Sequence, residues 1–216
     1  MLIAKLVGVV IIAYLLGSIP FGLIIGKLKK GVDIRQYGSG KTGATNLMRV
    51  AGTKFGLLAL VLDVVKGAAA VALATIIVPP NIEAISIASM PLYWQHLAQV
   101  AAGFAALLGH NWPVFARFKG GRGVTAYFGT VFAIFAPAGI FGAEVLAIAA
   151  LRSRHMSLGS LLGASATWCL MLPLTVVYKL LPPIYLVYGA IAVGLIVYQH
   201  RDNIKRLREG TERRLW

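Results

Sequence analysis

The sequence predicts an all-α integral membrane protein, one polytopic domain over residues 1–216, and three observations lead there. The chain is 58% hydrophobic and only 13% charged, which leaves too little polar surface for a water-facing domain of this size. Its apolar residues gather into runs long enough to cross a bilayer. Of the 21 Lys and Arg, eighteen fall in four clusters, at 27–54, 117–122, 152–154 and 201–214, in the gaps between those runs. The net charge of +14 would suggest nucleic acid in a soluble chain. Here the clustering reads instead as topology signals and contacts with anionic membrane lipids, with no nucleic-acid partner.

The first apolar run, Leu6 to Ile25, is too long for a secretory signal, and no small-residue cleavage site precedes Lys27-Leu28-Lys29-Lys30. The positive-inside rule places all four basic clusters in the cytoplasm, so an even number of spans must separate consecutive clusters. Between Lys54 and Arg117 lie two apolar stretches, roughly 56–78 and 91–109, parted by Pro79-Pro80-Asn81. Between Arg154 and Arg201 lie two more, roughly 158–178 and 183–199, parted by Lys179 and Pro182-Pro183. The stretch 124–151 fits one long tilted helix by length, but parity requires two, with Ala136-Pro137-Ala138-Gly139 the place to break. Each half is then about 13 residues or roughly 20 Å, short of the ~30 Å hydrocarbon core, which implies a thinned bilayer or a re-entrant pair. The sum is seven transmembrane helices, spans four and five short, with the N-terminus outside and the C-terminus cytoplasmic. The lone cysteine, Cys169, sits in an apolar run, so no internal disulfide forms, and no Cys/His spacing suits a metal.

The most informative polar stretch is Gly38-Ser39-Gly40-Lys41-Thr42-Gly43-Ala44-Thr45-Asn46-Leu47-Met48-Arg49. Its glycines let backbone N–H groups approach an anion, Ser39, Thr45 and Asn46 can bond its oxygens, and Arg49 offers a planar fork of donors. The Gly-Lys-Thr at 40–42 mimics the end of a nucleotide-binding P-loop, but that pattern needs glycine where Arg35 stands and a strand before the loop. A second run, Phe118-Lys119-Gly120-Gly121-Arg122-Gly123, repeats the chemistry just before a helix that starts at Val124. The plain alternative for both is ordinary turn-forming loop. Asp63 and Lys66 share a helix face near a span end and read as a packing ion pair, with Gly67 allowing close approach, the alternative being a direct substrate role. His110 is a candidate base or a local cap. Ser157 and Ser160 suit either helix N-caps or the lining of a polar cavity. In the tail, Ile204 and Leu207 with Arg201, Lys205 and Arg208 suggest a basic stub at the headgroups, while His200 and Asn203 share a face and can reach back to the loops.

Taken in order, these runs resemble the PlsY family, the acyl-phosphate-dependent glycerol-3-phosphate acyltransferases of bacterial membranes. The matching pieces begin with Gly17-Ser18-Ile19-Pro20-Phe21-Gly22, then Ser39-Gly40, Gly43-Ala44-Thr45-Asn46 and Arg49. They continue with Asp63-Val64-Val65-Lys66-Gly67, Gly109-His110, Pro113-Val114-Phe115, Phe118-Lys119-Gly120-Gly121 and Gly123-Val124. The last is His200-Arg201-Asp202-Asn203-Ile204 with Arg206-Leu207, Gly210 and Glu212. The chain departs from the family pattern in having Lys41 for Asn, Arg122 for Lys, and Thr125-Ala126 for Ala-Thr.

The resemblance implies attack of the glycerol-3-phosphate 1-hydroxyl on a long-chain acyl phosphate, giving lysophosphatidic acid and phosphate as the first step of bacterial phospholipid synthesis. It implies no cofactor and no direct use of acyl carrier protein, in the bacterial cytoplasmic (inner) membrane with the active site at the cytoplasmic face. It assigns Ser39, Arg49, Lys119, Ser157, His200 and Asn203 to glycerol-3-phosphate. Thr45, Asn46, Gly120 and Gly121 would cradle the acyl phosphate or its departing phosphate, with Gly40, Gly43 and Arg122 completing the two anion sites. His200 is a second candidate for the proton acceptor, after a substrate phosphate. The competing class is a transporter for phosphorylated anions, and a third is a non-catalytic membrane scaffold.

Overall fold

A computed structural model describes residues 1–87 and 90–215. The chain opens with α1 (Leu2–Gly17) and α2 (Phe21–Lys30), an apolar stretch interrupted at Ser18–Pro20. Pro20 cannot donate a backbone hydrogen bond, so the helix restarts after it. A loop with one 3-10 turn (Ile34–Gln36) leads to α3 (Ala44–Ala51), and α4 (Thr53–Ile77) runs away from that loop. A β-hairpin, β1 (Glu83–Ile87) with β2 (Met90–Tyr93), reverses the chain into α5 (Trp94–Asn111). A second 3-10 turn (Val114–Ala116) precedes α6 (Val124–Ser153), followed by α7 (Met156–Val176), α8 (Pro183–Gln199) and α9 (Arg201–Arg208).

The hairpin is a small addition to an otherwise helical fold, and the helix of the stretch read as 91–109 begins at Trp94. Pro91 breaks helix on its N-terminal side, and the alternating Glu83-Ala84-Ile85-Ser86-Ile87 suits a strand. Tyr93 then caps α5 together with His96.

Helix α6 is broken at Phe135, which has φ −155° and ψ 90°. Pro137 therefore falls in the first turn of the second limb, where its missing N–H costs nothing. Val124 and Thr125 at one end of this segment and Leu146 near the other line the same cavity. A straight helix of 30 residues would be roughly 45 Å long and could not bring its ends together, so the segment doubles back at the break. That is the two-limbed arrangement expected from charge parity, with the break slightly ahead of the stretch read from the sequence.

Among the described residues four segments are long and apolar enough to cross a membrane, namely 2–30, α4, α6 and α7, and α8 with α9, bent by 61°, makes a fifth. Helix α5 carries Gln95 and Gln99, but both face protein. Gln95 Nε2 donates to the carbonyls of Thr75 (2.8 Å) and Val78 (2.9 Å), and Gln99 Nε2 donates to Thr75 Oγ1 (2.8 Å). These bonds satisfy their polarity against α4, on the outer side of the α4–α5 contact.

Helix contacts depend on small residues. A Cβ at Gly67 would lie 2.4 Å from the Ala126 carbonyl oxygen, and one at Gly129 would lie 2.0 Å from that of Val64, so α4 and α6 meet backbone to backbone. The Asp63–Lys66 pair sits in this contact. Lys66 Nζ is 2.8 Å from Asp63 Oδ1, with side chains only 4% and 2% exposed. It also donates to the Ile19 carbonyl at 2.7 Å, an acceptor freed by the break before Pro20. These contacts match the packing role expected of the pair. One core cluster joins α5 to α8 around Tyr127 and Tyr188, a second packs alanines of α1, α4 and α5, and a third lies under α2 and α3.

Candidate active site

At the end of the bundle where α3, α6, α7 and α9 all begin lies a cavity of about 160 Å³. Its walls come from Ser39, Lys41, Gly43, Thr45 and Arg49 of the first loop and α3, and from Gly121, Arg122 and Thr125 around the start of α6. Ser157 and Ser160 of α7, His200 and Asn203 at the α8–α9 bend, and Arg206, Glu212 and Arg213 of the tail complete its polar side. Met48, Leu60, Val124, Leu146 and Met156 supply an apolar side. The first backbone amides of four helices point toward this end, each with unpaired N–H groups and the positive end of a helix dipole.

Local structure holds the two glycine-rich loops together. Arg35 is locked to Asp33 at 2.6 Å and donates to the Ala116 carbonyl at 2.9 Å, while Thr42 N donates to the Gly120 carbonyl. The Arg35 side-chain hydrogen bonds hold Asp33 down at about 2. Asn46 is buried and fully used inside its own loop: Oδ1 accepts from Ser39 N at 2.9 Å, and Nδ2 donates to the carbonyls of Ile34, Tyr37 and Lys41. It thus shapes the cradle from within its own loop while also lining the cavity.

Other expectations are also redistributed. Gly120 packs under α5, since a Cβ there would lie 2.3 Å from the His110 carbonyl oxygen, and Gly121 faces the His110 ring. Gly120, Gly40 and the exposed Lys119 are outside the cavity lining. Ser157 does not cap α7. Its hydroxyl donates to Glu212 Oε1 at 2.8 Å, and Ser160 donates to the Met156 carbonyl at 2.8 Å, so both serve the cavity wall. His200 and Asn203 do meet at the cavity, as their shared helix face predicts.

The tail keeps Arg201, Lys205 and Arg208 of α9 exposed, as a basic stub would. Beyond α9 it folds over the cavity, where Glu212 accepts from Ser157, from Asn203 Nδ2 (2.6 Å) and from Arg206 Nε (2.7 Å), and Leu215 N donates to the Arg154 carbonyl (2.8 Å). Burial alone would raise the Glu212 pKa, but the bonds from Asn203, Ser157 and Arg206 outweigh it and hold the carboxyl below its ordinary value. Glu212, Arg206 and Arg213 were not singled out as site residues. A tail of alternating charge carries no local signal that it returns to a distant serine.

The electrostatics are strongly positive. Lys41, Arg49, Arg122 and Arg213 face the cavity, and among the described residues none of them has a carboxylate within ion-pair distance. Burial lowers the pKa of Arg122, and Arg206 lowers it further; Arg49, exposed at the rim, is lowered by partial desolvation and then by Arg213. Arg122 Nε and Asn203 Oδ1 are buried without a hydrogen-bond partner. His200 is held down at about 4, chiefly by burial and then by Arg122, against the raising effect of its bond to the Ile196 carbonyl and of Glu212. Its Nδ1 lies 2.8 Å from that carbonyl, so the neutral ring carries its proton there and leaves Nε2 as an acceptor.

A helical integral membrane protein with a cationic, partly apolar cavity at one end is the class that this fold and site define. Residues 7–210 match the family model described as glycerol-3-phosphate acyltransferase, and the chain belongs to that family, PlsY, and is an acyltransferase. Glycerol-3-phosphate acyltransferase 3 of Dehalococcoides mccartyi (strain CBDB1) is 49% identical over 215 residues, covering 100% of this chain and 98% of that one. The crystal structure of PlsY (YgiH), an integral membrane glycerol 3-phosphate acyltransferase, in its glycerol 3-phosphate form superposes with a TM-score of 0.82 at 37% identity, covering 97% of this chain and 94% of that one. Its lysophosphatidic acid form gives 0.80 at 36% identity, with the same coverage.

Proposed function

We propose that this chain moves a long-chain acyl group from acyl phosphate to the 1-hydroxyl of glycerol-3-phosphate, releasing lysophosphatidic acid and inorganic phosphate. The hydroxyl oxygen attacks the acyl carbonyl carbon, the bond from that carbon to the phosphate oxygen breaks, and the hydroxyl proton passes to a phosphate oxygen. An acyl phosphate is already activated, so the main work is to hold two anions together and orient them. The observation that carries the reading is the cavity itself: four cations without carboxylate partners and several helix N-termini beside an apolar wall.

In this reading Ser39, Arg49, Arg122, Ser157, His200 and Asn203 hold glycerol-3-phosphate, and Gly43, Thr45 and Gly121 border the acyl phosphate. Lys119 is exposed two residues before Gly121, so its ammonium joins only if substrate draws it in. Neutral His200 suits a hydrogen-bond acceptor for the substrate hydroxyl better than a strong base. The forms in which the solved relatives are titled, glycerol 3-phosphate and lysophosphatidic acid, suit this substrate and product.

The proposal extends to the membrane. Seven spans, the fourth and fifth being the short limbs of α6, would place the N-terminus outside and the cavity and C-terminus at the cytoplasmic face of the bacterial inner membrane. No acyl carrier protein would be needed directly.

The test is phosphate release from palmitoyl phosphate by purified, lipid-supplied protein, with and without glycerol-3-phosphate and with palmitoyl-CoA as control donor. Release that depends on glycerol-3-phosphate and yields lysophosphatidic acid is expected. A folded preparation without turnover, combined with flux of labelled glycerol-3-phosphate into proteoliposomes, would return the transporter reading to first place.

A further inference from the structure

The mechanism above leaves Lys41 without a task. Its backbone is fixed on several sides: the carbonyl accepts from Asn46 Nδ2 at 2.9 Å, and the next residue, Thr42, is buried and bonded to Gly120. A Cβ at Gly22 would lie 2.0 Å from the Thr42 carbonyl oxygen, so α2 presses on the same segment. The half-buried side chain therefore starts from a rigid base and lines the cavity.

The groups around its ammonium are mostly of its own sign. Burial lowers its pKa first, Arg122 and Arg201 lower it further, and Asp202 alone raises it. Among the described residues no hydrogen bond or ion pair engages Lys41 Nζ, while Arg122 Nε beside it is buried and unpartnered. Two cations held together on a shaped wall without a counter-ion are an unfavourable arrangement that an anion relieves. A phosphate monoester, with a charge near −2 and three oxygens, can accept from both at once.

We propose that Lys41 and Arg122 form a two-cation clamp on the phosphate group of a substrate, making Lys41 a substrate-binding residue of this chain. The clamp rests on the acyl-transfer reading for its substrates, glycerol-3-phosphate and acyl phosphate, which offer the same phosphate chemistry. Asparagine is the residue of the family pattern at this position, so Lys41→Asn is the natural variant, and Lys41→Arg keeps the charge.

The experiment measures kcat and KM for each substrate separately, at low and high ionic strength, in wild type and both variants. The expected result for Lys41→Asn is a rise of about tenfold in KM for one substrate, exceeding any fall in kcat, with a weaker salt dependence of that KM. Lys41→Arg should restore most of the affinity. The substrate whose KM moves is the one whose phosphate is clamped. A wild-type enzyme that turns over normally, beside a Lys41→Asn variant with both KM values unchanged, overturns the clamp and leaves the reaction intact.

A second readout needs no turnover: inorganic phosphate should raise the melting temperature of wild type more than that of Lys41→Asn. Equal shifts overturn the clamp, whereas a difference in shift supports it even if palmitoyl phosphate proves not to be a donor.

Discussion

Single residues divide into those that would touch substrate and those that hold the cradle in shape. Arg49→Ala or Arg122→Ala removes a planar donor fork and a charge from the cavity, and at least about a tenfold loss in kcat/KM is expected for each. Near-normal turnover in Arg49→Ala would sink its assignment to glycerol-3-phosphate. Asn46→Ala acts differently, because it removes four bonds that shape the first loop and leaves the Lys41 carbonyl and the Ser39 N–H without their partner, while the carbonyls of Ile34 and Tyr37 keep Tyr37 N and Gly40 N. A destabilisation of about 3 kcal/mol is expected, read as a lower melting temperature that accompanies the loss of activity. His200 supplies a pH signature. Its folded value of about 4 lies below the ordinary 6.5, so on acidification the unfolded chain takes up this proton before the folded one. The stability it contributes is present above pH 6.5 and is lost as pH falls toward 4, up to about 3 kcal/mol. Wild type should therefore lose more melting temperature than His200→Gln across that window, and parallel curves would refute the buried neutral histidine. The sequence identified the chemistry of these residues but not their partners. Asn46 has the same hydrogen-bonding groups whether it faces a phosphate or its own loop, and only the fold decides which.

Elements show where hydrophobic pattern is informative and where it fails. Apolar runs and prolines locate α4, α7 and α8, because lipid admits little else between polar loops. They cannot reveal that Glu83–Tyr93 pairs into a hairpin, since a short β-branched run between turns is no clearer as strand than as frayed helix. For 124–151 charge parity asks for two spans where length alone allows one, and the break at Phe135 divides the segment into two limbs. Packing at the α4–α6 contact makes a sharp prediction. Gly129→Val places a branched side chain where even a Cβ would lie 2.0 Å from the Val64 carbonyl oxygen, so the helices must separate and carry Asp63 and Lys66 with them. Loss of folded protein, or a steep fall in melting temperature, is expected in detergent. Gly8→Ala is the matched control, because a Cβ there has nothing within 4 Å and alanine favours helix. Equal behaviour of the two variants would refute the backbone-to-backbone contact.

At the scale of the molecule, the arrangement of charge and helix direction form one argument. Three of the four basic clusters send side chains into the cavity, and the fourth, Arg152 and Arg154, flanks the start of α7 beside Ser157. The hairpin between α4 and α5 lies at the far end of those helices from the first loop. If basic loops face the cytoplasm, the cavity draws soluble phosphorylated substrate from that side, while the apolar wall of Met48, Leu60, Leu146 and Met156 meets lipid-borne chains. Charge counting alone leads to this proposed orientation. That the clusters converge on one site was not legible there, because convergence depends on the doubling back of α6 and on the tail crossing to Ser157. Labelling tests the orientation directly. The single cysteine, Cys169, is exposed on α7, so Cys169→Ser provides a cysteine-free background. Into it one introduces Ser86→Cys in the hairpin or Arg208→Cys at the end of α9. In intact cells stripped of any outer barrier, a membrane-impermeant maleimide should modify the cysteine at 86, and the one at 208 only after the membrane is opened. The reverse pattern would place the cavity outside and remove the cytoplasmic pool of glycerol-3-phosphate as its source. Labelling of both sites in sealed cells would break the even span count between the clusters, and with it the parity argument for two limbs in α6.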